Sequence, residues 1–242
     1  MLSIVTGTLN RKHLLESMIS NTVDSHEDLE LVLVDGGSSD GTEEFIAKLN
    51  HPRIVWIPVG CRSSYPHFMN LGIKNSTHEL VCQWNDDVLL CNEWEEVFNE
   101  LDDSDAYLFN WKYGILEDIK SEQFLYTFSD NPKSYGWCIT NTKYGPGASD
   151  GEIVMNYGIY KKQVFRDIGM YDSKFNYYYA DGDMAQRCWY FGKKIKTLGH
   201  IKVLAVNEDK TAIHHEDDVS KYYGNLEAYG HKTIPDTVEF LT

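Results

Sequence analysis

The sequence predicts an α/β fold: a mostly parallel central sheet with helices on both faces and an irregular second half. Three observations predict it. Through residues 1–111, short apolar runs alternate with stretches whose apolar residues recur at helical spacing. One of those runs, residues 29–34, is continuous in the manner of a strand covered on both faces. Strands that alternate with helices are joined by crossovers, which set them parallel and sheathe the sheet on both sides.

The elements follow in order. Residues 2–6 are the first short apolar run, and residues 11–22 then place Leu14, Leu15, Met18 and Ile19 on one helical face. Residues 29–34 make the second strand. Asp40 and Glu43 form a capping box that opens a helix through Leu49. Residues 53–57 read as strand, 65–74 as helix and 80–84 as strand. Trp94, Val97, Phe98 and Leu101, at i, i+3, i+4 and i+7, mark the next helix, and residues 106–111 the next strand.

The second half is less regular. Between residues 112 and 150, Phe124, Tyr126, Phe128, Tyr135, Trp137 and Tyr144 stand among Gly, Pro, Asn and Ser, the makings of an aromatic mini-core under a long loop. Residues 152–160 read as strand, 163–169 as a short helix, 181–191 as an amphipathic helix and 201–206 as a further strand. No internal repeat, Pro-rich linker or low-complexity tract interrupts the chain. The expectation for residues 1–242 is one domain whose second half is built onto the sheet.

With 22 Lys and Arg against 37 Asp and Glu, the chain carries a formal charge of −15. Such a surface repels phosphate polymers and anionic lipid, which argues against nucleic-acid or membrane-surface binding. It leaves room for a nucleotide held through a divalent cation. The cysteines (Cys61, Cys82, Cys91, Cys138, Cys188) are odd in number and lack metal-type pairing. Cys82, Cys91 and Cys188 lie in apolar stretches and read as reduced, buried thiols. No run reaches the roughly 18–20 apolar residues of a membrane span. The chain starts directly in a strand, with no charged leader. A cytoplasmic protein is expected.

In parallel α/β sheets, ligands bind beyond the carboxyl ends of the strands. Here those ends carry Thr6-Gly7-Thr8-Leu9-Asn10, then Asp35-Gly36-Gly37-Ser38-Ser39-Asp40-Gly41-Thr42, then Asn85-Asp86-Asp87. Two carboxylates at a strand end suit a hard divalent cation, which takes oxygen ligands and can be shared with a pyrophosphate. Each cluster also has a plain structural reading. Ser39, Asp40 and Gly41 suit any strand–turn–helix junction. Asn85-Asp86-Asp87 can be a solvated turn, Asp181 a helix cap, and His214-His215 a surface pair. Their order and spacing together carry the argument.

The string SIVTGTLNRKHLLESMISNTVDSHEDLELVLVDGGSSDGT strongly resembles the N-terminus of family-2 glycosyltransferases of the GT-A fold. GCRSSYPHFMNLGIKNSTHELVCQWNDDVLL resembles the same family's Asn-x-Gly helix followed by its DXD-type metal motif. GIYKKQVFRDIGMYDSKFNYYYADGDMAQRCWYFG resembles the acceptor-side segment, and TAIHHEDD the late histidine. The match covers roughly residues 1–111 and 151–218, in the family's order.

The resemblance implies an inverting transfer from a nucleoside-diphosphate sugar, UDP-linked for preference, to a saccharide or glycolipid acceptor. Residues 1–111 would form the nucleotide-sugar half and residues 112–242 the acceptor half. Thr6 and Thr8 would line the nucleotide pocket, and Asp35 would accept a hydrogen bond from the base. Asp87 would bind Mn²⁺ or Mg²⁺, with His214 ahead of His215 as a further ligand or a diphosphate contact, while Asn85 and Asp86 would meet ribose or sugar. Asp181 matches the usual position of the base that deprotonates the acceptor, and Asp183 competes with it. Ala180 and the Asp35-Gly36-Gly37-Ser38 string depart from the family's commoner Glu-Asp-x-Asp and Asp-Asp-Gly-Ser forms. Two other classes compete: a sugar nucleotidyltransferase and a non-catalytic carbohydrate-binding protein. The first needs a glycine-rich, basic phosphate loop, yet the segment after strand one has only Gly7, and the charges of Arg11 and Lys12 fall inside the helix. The second must explain why Asp35, Asp87 and Asp181 all persist.

Overall fold

A computed structural model describes residues 1–126, 128, 157–176, 178–206 and 218–242. Strands β1 (Leu2–Thr8), β2 (Leu29–Asp35), β3 (Ile54–Pro58) and β4 (Leu80–Gln83) lie parallel in the order β3-β2-β1-β4. They are joined through α1 (Lys12–Asn21), α2 (Thr42–Leu49) and α3 (Tyr65–Asn75). Next come β5 (Val88–Leu90), α4 (Trp94–Glu100), β6 (Ala106–Gly114), a 3₁₀ turn (Leu116–Lys120) and α5 (Glu122–Tyr126). The chain continues through β7 (Gly158–Lys161), α6 (Lys162–Ile168), α7 (Ala180–Tyr190), β8 (Ile195–Val206) and α8 (Asp218–Gly230). Strand β7 enters antiparallel between β4 and β6, β8 runs parallel to β6, and β5 closes the edge antiparallel to β8.

Alternate residues of the strands feed two cores, one on each face. Leu2, Ile4, Leu31 and Leu33 pack with Leu14, Leu15, Met18 and Ile19 of α1 and with Trp94 and Val97 of α4. Val5, Val32 and Val81 pack on the other face with Met69 and Ile73 of α3, Phe165 of α6 and Met184 of α7. Burying each such side chain is worth about 1.5–3 kcal/mol. Helix α3 is capped by Ser64, whose side chain accepts from the His67 amide at 3.3 Å, and carries Pro66 in its first turn. It seats directly on β1 because Gly72 lacks a side chain: a Cβ there would lie 2.2 Å from Val5 Cγ1. Among the described residues, no helix is long and apolar enough to cross a membrane.

Several expectations shift. The strand expected over 152–160 is seen from Gly158, with residues 152–156 outside the described residues. The strand expected over 201–206 begins earlier, at Ile195. Asp40 and Glu43 form no capping box. Gly41, at φ +87°, is the N-cap of α2, and Asp40 instead accepts from the Thr42 amide at 3.2 Å and the Lys12 amide at 2.9 Å. Cys82 and Cys188 are buried thiols, but Cys91 is only partly covered. The aromatic segment is described only to Phe128, whose ring meets Phe124 edge-on at 5.3 Å.

Candidate active site

The β1–β2 register ends on Thr8 opposite Asp35, so the loops after both strands leave the sheet at one level. The Gly36 amide donates to the Thr8 carbonyl at 2.9 Å. Asp35 is buried and accepts from the Gly37 amide at 3.1 Å, the Ser38 amide at 3.0 Å and the Ser38 hydroxyl. Gly37, at φ +90°, is required there: a Cβ would sit 2.8 Å from the Gly60 carbonyl. Asn10 latches the two loops, its side-chain oxygen accepting from the Ser39 amide at 2.7 Å. Thr6 is buried and its hydroxyl points back to the Gly7 carbonyl at 3.3 Å. Asp35 therefore organises its own turn, and a base-side contact would use its remaining acceptor capacity.

At the end of β4, Asp86 is buried and accepts from the Thr8 hydroxyl at 2.8 Å and from Arg11 Nη1 at 2.9 Å. The same Nη1 donates to Asp87 Oδ2 at 2.7 Å. Burial pushes the Asp86 carboxyl up to about 6 against the pull of Arg11, and the Asp87 charge adds to the rise. Burial opposes the Arg11 charge, but the two carboxylates outweigh it and hold the guanidinium protonated. Asn85 reaches the Tyr157 hydroxyl. Arg11 is thus no interior helical residue: it is the N-cap of α1, and its side chain lies across the acidic pair. Sequence reasoning missed this contact because it spans 75 residues of chain and depends on β1 lying beside β4. Among the described residues, no group of three His, Cys, Asp or Glu side chains is placed to hold a metal. His214 and His215 lie outside the described residues.

Asp181 and Asp183 stand in the first turn of α7, after Tyr179 in a left-handed conformation (φ +67°). They face different surroundings, as side chains two apart on a helix must. Asp183 is fully buried. It accepts from Asn225 Nδ2 at 2.6 Å, the Tyr229 hydroxyl at 2.7 Å and Arg187 Nη2 at 3.3 Å. Arg187 in turn donates to the Ile168 and Met170 carbonyls at 2.8 and 2.7 Å. Asp183 therefore ties α7 to α8. Asp181 is partly buried, takes the Gly182 amide at 2.9 Å and forms no ion pair among the described residues. Burial lifts its carboxyl from the ordinary 3.8 to about 6, opposed by backbone hydrogen bonding. Burial also raises the Tyr113 and Tyr157 hydroxyls, and the charges of both Asp87 and Asp181 add to that rise. The charges of Asp87, beyond the end of β4, and of Asp181, on α7, thus both reach Tyr113 and Tyr157, and Tyr113 is 44% exposed.

The mostly parallel sheet with helices on both faces is the fold of GT-A glycosyltransferases of known structure. Residues 3–161 match Glycosyl transferase family 2, and the chain belongs to that family. A search of curated proteins by sequence finds no match. Among solved structures, the chain is similar to TarS residues 1–349 from S. aureus in complex with UDP-GlcNAc. The TM-score is 0.67 at 15% identity, covering 98% of this chain and 68% of that one. It is similar also to the mannosyltransferase PcManGT from Pyrobaculum calidifontis in complex with GDP-Man and Mn²⁺. There the TM-score is 0.62 at 17% identity, covering 86% of this chain and 58% of that one. The chain thus spans little more than half of the mannosyltransferase. At these identities the likeness is one of fold.

Proposed function

We propose that the protein is an inverting, metal-dependent glycosyltransferase that moves a sugar from a UDP-sugar to a hydroxyl of a glycan or glycolipid precursor. The observation that carries this reading is Asp181, a partly buried carboxylate in the first turn of α7 that forms no ion pair among the described residues, in a chain that belongs to Glycosyl transferase family 2. Asp181 takes the proton of the acceptor hydroxyl as that oxygen bonds to the anomeric carbon. The bond from that carbon to the diphosphate breaks on the opposite face, and the nucleoside diphosphate leaves with the electron pair. One displacement inverts the anomeric centre. A base so placed contributes typically 10²–10⁴ in rate.

On the donor side, Thr6, Thr8 and Asp35 line the nucleotide pocket, Asp35 accepting from uracil N3–H, while Asn85 and Asp86 meet ribose or sugar. The acidic pair suits a cation, since one guanidinium nitrogen already sits between Asp86 and Asp87 at 2.9 and 2.7 Å. Asp87, the more exposed of the two, would hold Mn²⁺ or Mg²⁺ through a carboxylate oxygen, with an imidazole nitrogen of His214 or His215 beside it. When bound, that ion neutralises charge on the departing diphosphate. The buried, reduced Cys82 and Cys188 suit a cytoplasmic setting. The test is calorimetric titration with UDP in Mn²⁺ and in EDTA. UDP should lose most of its affinity in EDTA, and Asp87→Asn should abolish that dependence without changing the circular dichroism. Equal UDP affinity in both buffers overturns the metal bridge.

A further inference from the structure

The function proposed above assigns no role to Arg11, yet its side chain makes the closest charged contact in the site. One nitrogen bridges Asp86 and Asp87, and the three side chains are only 20%, 6% and 21% exposed. Two carboxylates this close and this shielded from water need a positive partner, because an uncompensated buried charge is strongly destabilising. The acidic side of the contact is fixed: Asp86 is held by the Thr8 hydroxyl at 2.8 Å. The Arg11 backbone is fixed too, since its neighbours Asn10 and Lys12 are latched to Ser39 and Asp40 at 2.7 and 2.9 Å. What can move is the guanidinium, on a long side chain of several staggered torsions. Its anchor lies between the acidic pair and the loop after β2, beside the nucleotide pocket.

We infer that Arg11 is the resident counter-cation of the Asp86–Asp87 pair and a diphosphate-binding residue in turn. With no nucleotide, it occupies the acidic pair and disfavours a divalent ion there by repulsion. With a nucleoside diphosphate present, its guanidinium turns from the carboxylates to the phosphate oxygens, for which its planar fork is suited. Two carboxylates and one guanidinium leave one net negative charge. Adding a divalent ion reverses that sign and matches the site to an anionic diphosphate. Arg11 therefore makes metal and nucleotide bind cooperatively, and by linkage each strengthens the other by the same factor. The inference rests on the reading of the site as a metal-assisted diphosphate pocket.

The experiment measures free Mn²⁺ by electron paramagnetic resonance in titrations of wild type, Arg11→Met, Arg11→Gln and Arg11→Lys, with and without UDP. Both neutral variants should bind Mn²⁺ alone roughly tenfold tighter than wild type, and UDP should enhance that binding roughly tenfold less. Mn²⁺ should also raise their Tm more than it raises that of wild type. Arg11→Lys, which keeps the charge but not the fork, should bind Mn²⁺ alone as weakly as wild type does. If Arg11→Met does not fold, Arg11→Gln carries the same reading with a polar side chain in place. Unchanged or weaker Mn²⁺ binding in the neutral variants, with UDP-dependent Mn²⁺ uptake intact in wild type, overturns this inference alone. No Mn²⁺ uptake by wild type even with UDP overturns it together with the metal-assisted reading.

Discussion

The edge at the ends of β1, β2 and β4, proposed above as the donor edge, and the start of α7, proposed as the acceptor edge, are held in place by different means. At the donor edge, short turns and single side-chain links join one strand end to the next. Asp35 closes a turn on residues two and three positions onward, and Asn10 and Asp40 stitch one strand-end loop to the next. At the acceptor edge Asp181 depends on a buried polar network two residues away. There Asp183, Arg187, Asn225 and Tyr229 join α7 to α8 across more than forty positions. At the donor edge the buried Asp35 is satisfied by the amides and hydroxyl of its own turn. The acceptor edge is all-or-none, because each member of a desolvated network leaves another unsatisfied when it is removed.

That contrast sets the scale of what should break each edge. The largest effect is expected at Asp181. Asp181→Asn should lower turnover by about 10²–10⁴ with UDP affinity nearly unchanged, as stopped assays and calorimetry would show. It should also stabilise the fold. The Asp181 carboxyl rises from 3.8 to about 6 in the folded protein, which therefore prefers it protonated. Its contribution to stability is full below about pH 4 and is lost as pH rises through about 6, so at neutral pH its ionisation costs up to about 3 kcal/mol. Asn keeps the acceptor for the Gly182 amide and should restore about 1–3 kcal/mol, seen as a higher Tm. Activity carries the opposite sign: kcat/KM should fall about tenfold per pH unit below about 6, where the base is protonated. Loss of UDP binding in Asp181→Asn would instead place this residue in the donor pocket.

Asp183→Asn should act on the network. Arg187 would keep its two carbonyl partners but lose its counter-charge, for a loss of about 3 kcal/mol in urea unfolding and little change in turnover per folded molecule. A variant that stays stable, binds UDP and loses transfer would move the base by two residues. The smallest effects separate the edges through glycine. Gly72→Ala drives a methyl against Val5 beneath the donor edge and should cost about 1–3 kcal/mol. Gly182→Ala meets nothing nearer than Tyr222 at 3.7 Å and should be neutral or stabilising by up to about 1 kcal/mol. Equal costs at the two sites would mean that α3 does not seat on β1 as closely as the geometry requires.

The amino-acid sequence by itself determined the alternation of strands and helices through β6, the position of Asp35 and Asp86–Asp87 at strand ends, and the family. All of these depend on residues close together in the chain: an apolar run, a turn residue after it, a helical repeat after that. Tertiary structure alone decided which acid of the Asp181–Asp183 pair is buried against Arg187, since both fit the first turn of a helix equally well. It alone inserted β7 antiparallel between β4 and β6, because a short strand's pattern carries no direction. It alone placed Asn225 and Tyr229 of α8 in the interior, against Asp183. It also brought Arg11 onto carboxylates 75 positions away. Those outcomes follow from which strands are neighbours and how far each side chain is removed from water, and neither quantity is a property of local sequence.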